Sequence, residues 1–214
     1  MARKPAAPPK GEPANAVARA AQEAARALTK RISHDTQCVG YVEMGLRDLF
    51  NHYRDTANAN LPHGMRITRL DVDLEYGVNH QDPATMVERN TELNQPTRDL
   101  ANGVLHIAIN GAEPQLINIT LFQTPFEATD GTSLVMLVGN RGSDQTEPYA
   151  FSLQVDEKDP KSFLPVHNAL GVPVSMIGRS KTMISLTDFI GAKVREMMVN
   201  TRKPALIAQQ RPAA

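Results

Sequence analysis

Tryptophan is absent from the 214-residue chain, aromatic residues make up 5% of it, and Cys38 is its single cysteine. One thiol builds neither an intramolecular disulfide framework nor a cysteine-based metal site, and it suits a reducing compartment. Long apolar runs are missing as well, and none approaches the roughly 18 residues that a membrane-spanning helix requires. The opening residues, Met1-Ala-Arg-Lys-Pro-Ala-Ala-Pro-Pro-Lys10, lack the apolar core of a secretory signal. These absences predict a soluble protein, cytoplasmic or incorporated into a virion, with no membrane partner.

The familiar chemical motifs are lacking too. A phosphate-cradling loop needs Gly, four residues, then Gly-Lys-Ser/Thr, so that backbone amides wrap the phosphates and the lysine reaches the last one. The nearest stretch, Gly171 through Gly178-Arg179-Ser180, has six intervening residues and Arg in place of Lys. No Gly-x-Gly-x-x-Gly and no Gly-x-Ser-x-Gly occurs. Ser33-His34-Asp35 holds the residue types of a hydrolytic triad, but consecutive side chains diverge and form no relay. The histidines are His34, His52, His63, His80, His106 and His167, and none makes the i, i+4 helical pair of a zinc protease or pairs with Cys at zinc-finger spacing. His52 and Asp55, three apart, read as surface neighbours, His106 as a satisfied sheet histidine, and Cys38 as a small buried hydrophobe. The sequon Asn118-Ile119-Thr120 falls within a predicted strand. No catalytic constellation, cofactor, metal or small-molecule substrate is expected.

What is present is charge, unevenly placed. The 23 basic and 23 acidic residues cancel overall. Residues 1–31 nevertheless carry seven basic against two acidic residues, a net of +5, as do residues 179–214, while residues 32–178 carry −10. Basic ends of this kind attract a polyanion or the acidic middle of a neighbouring subunit. The candidate partner or nucleic-acid contacts are Arg3, Lys4, Lys10, Arg19, Arg26, Lys30, Arg31, Lys193, Arg195 and Arg202. Asp71, Asp73 and Glu75 recur at i, i+2 on one side of a predicted strand, and form a solvated carboxylate face onto which a basic arm of a neighbour can lie.

Residues 1–14 are Pro- and Ala-rich with no large aliphatic side chain, which predicts an extended arm; a second tail is expected at 203–214. Between them lies one expected domain, residues 15–202. Asn15 to Arg31 reads as a helix with a narrow stripe of Val17, Ala21, Ala24, Leu28 and Ile32, and with Arg19, Glu23 and Arg26 at ion-pair spacing. Val39 to Ala57 reads as a second helix, with Val42, Leu46, Leu49, Phe50 and Tyr53 inward and Glu43 paired to Arg47. At Arg66 the period switches to two, and Leu70, Val72, Leu74 and Tyr76 face opposite to the charged residues. A long polar loop is expected over 77–101. Two hairpins follow, Val104–Ile109 with Leu116–Gln123 around Asn110-Gly111, and Ser133–Val138 with Tyr149–Val155. A last helix starts near Ser185 or Thr187 and runs to about Thr201.

The expected fold is therefore α+β: an antiparallel sheet of about five to six strands, with two N-terminal helices and one C-terminal helix packed on it and extended basic termini. The combination points to a non-enzymatic structural protein, a homo-oligomer or one subunit of a larger particle such as a virus or bacteriophage virion, whose arms order on assembly. A nucleic-acid-binding accessory protein is the alternative, and an enzyme with a site assembled from His52, Asp55 and the 77–101 loop the third reading.

Overall fold

The computed structural model describes residues 12–76, 88–90, 95–128, 131–139, 147–156, 164–179 and 182–209. The chain divides into two compact units, Met1–Gln37 and Cys38–Ala214, where a single domain over 15–202 is expected from the sequence.

The first unit holds the beginning of helix α1 (Glu12–Asn60). Alanine dominates residues 15–31, and its high helix propensity lets this stretch coil with little help from burial. Residues 16–27 are exposed on every side, and Leu28 is half-buried. Two N-terminal helices are expected, but α1 is continuous. Residues 32–38 contain no Pro or Gly to break it, and two threonines near this stretch bond back to the helix: Thr29 Oγ1 donates to the Ala25 carbonyl at 2.9 Å and Thr36 Oγ1 to the Ile32 carbonyl at 2.8 Å.

In the second unit α1 turns amphipathic, burying Cys38, Val39, Val42, Leu46, Leu49 and Phe50. Strand β1 (Ile67–Tyr76) follows, then β2 (Glu88–Asn90), β3 (Gln95–Ile109), β4 (Gln115–Ala128), β5 (Gly131–Val138) and β6 (Tyr149–Asp156). A single helical turn α2 (Leu164–His167), β7 (Leu170–Pro173), a 3-10 turn (Val174–Met176), β8 (Ile184–Ser185) and α3 (Leu186–Gln209) complete it. Every pairing is antiparallel, in the order β1-β3-β4-β5-β6-β7-β8, with β2 added against the start of β3.

Among the described residues the sheet thus runs through seven strands instead of five or six, and two long helices stand where three are expected. The extra strands, β7 and β8, come from a segment broken by Gly171 and Pro173. Their runs are too short to show a period, and pairing with β6 makes them strands. Residues 88–90 and 95–101, expected within a loop, are also strand, because 88–90 pair with 95–97 and β4 and β1 supply partners for the residues that follow; residues 77–87 and 91–94 lie outside the described part. α3 continues in its backbone through the expected tail to Gln209, while residues 1–11 and 210–214 lie outside the description.

One face of the sheet carries the core. Leu70 and Val72 of β1, Leu105 and Ile107 of β3, Ile119 and Leu121 of β4, Leu134 and Met136 of β5 and Phe151 of β6 join the buried face of α1 and Leu186, Phe189, Ile190, Val194 and Met197 of α3 in one cluster. Phe189 meets the ring of Phe151 edge-on at 5.9 Å and that of Tyr149 at 5.3 Å, which locks α3 onto β6. On the opposite face Phe122, Val135, Leu137 and Ala150 form a small cluster packed by Val174 and Ile177.

Two glycines have identifiable jobs. Gly103 pairs with Leu74 across β1 and β3, and a Cβ there would strike the Asp73 carbonyl oxygen and stand 2.8 Å from Leu74 Cδ2. Gly111, at φ 77°, gives the β3–β4 turn the left-handed residue it needs.

Candidate functional site

The carboxylates of β1 are where the alternation puts them, on the face turned away from the core, but they lie in a network with cations of their own chain. Arg47, on α1, reaches across to this strand. Its Nη2 donates to Glu43 Oε1 at 2.7 Å, stands 3.6 Å from Asp73 Oδ1, and donates to the Val72 carbonyl at 3.3 Å. Its Nε lies 4.0 Å from Asp71 Oδ1. Arg69 Nη2 lies 3.9 Å from Asp71 and 3.8 Å from Asp73, and His106 Nε2 of the neighbouring strand is 3.5 Å from Asp73 Oδ2. Glu75 is exposed and stands opposite Asn102 in the register.

This arrangement also closes part of the strand's outer margin. The Val72 N–H donates to Asp71 Oδ1 at 2.8 Å while its carbonyl accepts from Arg47, so a side chain satisfies each backbone group. An arm of another molecule therefore meets a face already threaded by two guanidiniums. Arg69 was legible as a partner from its place on the same strand, and Glu43–Arg47 from helical spacing. The reach of Arg47 over 25 residues to Val72 was not.

The basic candidates separate into distinct settings. Arg19, Arg26 and Lys30 are exposed and Arg31 is half-buried. Glu23 stands at ion-pair spacing from Arg19 and Arg26, yet among the described residues it closes no ion pair with either. Lys193 is withdrawn: it is 8% exposed, donates to Glu196 at 3.1 Å and lies 5.9 Å from the centre of the Phe189 ring. The sequence carried a signal for this, since Lys193 sits beside Val194 and three residues after Ile190 on the inward stripe. Arg195 is exposed and acts on Tyr53 of α1. Arg202 belongs to α3 but its side chain lies outside the described part, as do Arg3, Lys4 and Lys10 entirely.

Tyr53 is perturbed. Burial raises its pKa above 10.0, against the lowering effect of Arg195 and with a further raising by Asp188. A phenol held neutral between two helices is what packing predicts.

The remaining chemical candidates are scattered. His52 and Asp55 are both exposed, and Asp55 Oδ1 lies 3.4 Å from Arg54 Nε. His34 Nδ1 stands 3.6 Å from Asp35 Oδ1, and Asp35 is buried. His167 Nε2 lies 3.3 Å from Asp48 Oδ2, tying α2 to α1. Cys38 is buried, and His80 lies outside the described residues. Among the described residues no group of three or more His, Cys, Asp or Glu side chains is placed to hold a metal ion, and no helix is long and apolar enough to cross a membrane.

Comparison with protein-family models, with curated proteins and with solved structures finds no match for this chain.

Proposed function

We propose that this chain is a non-enzymatic structural subunit that assembles into a larger oligomeric particle through its N-terminal segment, a virus or bacteriophage virion component being the concrete example. The observation that carries the reading is the uncovered apolar stripe of the first unit. Val17 is 70% exposed, Ala21 and Ala24 are exposed, and Leu28 is half-buried, all at steps of three or four on one side of α1. A helix that presents such a stripe buries it on another molecule, and alanine lets a partner helix approach closely. Val17 is also the most exposed of the large apolar side chains among the described residues.

Size-exclusion chromatography with light scattering tests this. The full chain is expected at a multiple of the monomer mass, and Val17→Asp with Leu28→Asp, or removal of residues 1–31, is expected to reduce it to monomer. A full chain that stays monomeric, with or without residues 1–31, and that enters no larger particle from its natural source overturns the proposal.

A further inference from the structure

The side of the exposed helix opposite its apolar stripe has a separate character. At 100° per residue, Arg19, Arg26 and Lys30 fall within about 40° of one another and about 180° from the line through Val17, Ala21, Ala24 and Leu28. All three cations are exposed, and among the described residues none of them forms an ion pair. Gln22, Arg26, Thr29, Lys30, Ser33 and Gln37, all on α1, border an open surface hollow on this side. The Thr29 hydroxyl proton is committed to the Ala25 carbonyl, so the neutral donors available are Gln22, Ser33 and Gln37.

We infer that this stripe is a contact surface for the phosphate backbone of a nucleic acid. Guanidinium, ammonium, amide and hydroxyl donors along one side of a helix are a set that meets phosphate oxygens and fixes position without reading sequence; the exposed Glu23 lies on the same side, so three cations stand there against one carboxylate. The helix rise puts Arg26 about 10 Å from Arg19 and Lys30 about 6 Å from Arg26 along the axis, so each cation meets a different phosphate. No Phe, Tyr or Trp side chain lies on residues 16–37 to stack on bases, which makes the contact indifferent to sequence. The structure also sorts the basic residues: the stripe on α1 contributes, while Lys193, held by Glu196 and Phe189, does not. The apolar stripe lies on the other side of the helix, so this contact stands or falls independently of self-assembly.

The test is fluorescence anisotropy of the full chain with a labelled 30-nucleotide mixed-sequence DNA, single-stranded and duplex, from 50 to 200 mM NaCl. Three phosphate contacts made by the stripe predict that Arg19→Gln, Arg26→Gln and Lys30→Gln together reduce the steepness of log K against log salt by about two for single strands, with at least a tenfold loss of affinity at 50 mM. Arg69→Gln, which removes a cation already paired with Asp71 and Asp73, is expected to leave binding unchanged, and far-UV circular dichroism checks that the triple variant is still helical. If it is not, each single substitution is expected to lower the slope by about 0.7. Absence of binding at 50 mM salt, an unchanged slope in the helical variants, or an equal loss in the Arg69 variant overturns the inference. Poly-glutamate competing as well as DNA at equal charge also overturns it, because the surface then takes acidic protein.

Discussion

Asn58 holds Ile67 by both of its backbone groups: the Asn58 Oδ1 accepts the Ile67 N–H at 2.8 Å, and Asn58 Nδ2 donates to the Ile67 carbonyl at 3.1 Å. The amide stands in for a neighbouring strand at the first residue of β1, just after the turn in which Met65 N–H bonds the Pro62 carbonyl at 3.0 Å. It joins the end of α1 to the start of the sheet. Asn58→Ala is expected to cost about 2 kcal/mol, since two partly buried backbone groups lose their partner. Asn58→Asp keeps the acceptor and loses the donor, so it is expected to fall between. Urea unfolding followed by circular dichroism measures both; an alanine variant as stable as the parent would falsify this role.

Gly103 and Gly111 are expected to respond differently to alanine. At 103 the new Cβ meets the Asp73 backbone, which cannot move without opening the β1–β3 pair, so a loss of about 2 kcal/mol or more is expected. At 111 nothing lies within 4 Å, and only the left-handed backbone opposes the change, for about 1 kcal/mol. Equal losses in thermal unfolding would remove the distinction.

Ser185 caps α3. Its Oγ accepts the Asp188 N–H at 3.1 Å and donates to Asp188 Oδ2 at 2.7 Å, a reciprocal arrangement at Ncap and N3. Thr187, whose Oγ1 lies 2.9 Å from the same hydroxyl, holds no cap position. Ser185→Ala is expected to cost about 1 kcal/mol and Thr187→Ala clearly less, read from urea midpoints. A larger loss at 187 would move the cap.

The raised pKa of Tyr53 has a defined effect on stability against pH. Its folded-state pKa lies above the unfolded value near 10.0, so the folded protein holds this proton more tightly. The contribution is complete below about pH 10 and is lost as pH rises through the folded pKa. Absorbance at 295 nm is expected to show a late tyrosine ionisation, and Tyr53→Phe to remove that step and flatten the fall in stability at alkaline pH. Arg195→Ala is expected to raise the transition further and Asp188→Asn to lower it. A titration unchanged by Tyr53→Phe would assign the late step elsewhere.

Much of the fold was legible because its elements announce themselves locally. The alternation from Leu70 to Tyr76, the Asn110-Gly111 turn, the inward stripe from Val42 to Phe50 and a helix start near Ser185 or Thr187 each rest on contacts within a few residues, and each is present, with Ser185 as the cap. The continuity of α1 was missed because a change in hydrophobic stripe near residues 32–38 resembles a break when no Pro or Gly marks one. β7 and β8 were missed because four and two residues hold no period, and they are strands only because β6 is there to pair with.

By itself the sequence determined the α+β class, the antiparallel pairing of adjacent segments and the segregation of basic charge into the ends, since local propensity, turn chemistry and composition suffice for these. Tertiary structure alone decided which charges remain available. Lys193 and Arg26 look alike in a list of basic residues, yet one is covered by Phe189 and Glu196 and the other stands exposed on α1. Asp71 and Asp73 read as an open acidic face until Arg47 reaches them from 24 and 26 residues away. An ionic partner is chosen by distance in space, and distance in space is what a linear pattern of charges does not contain.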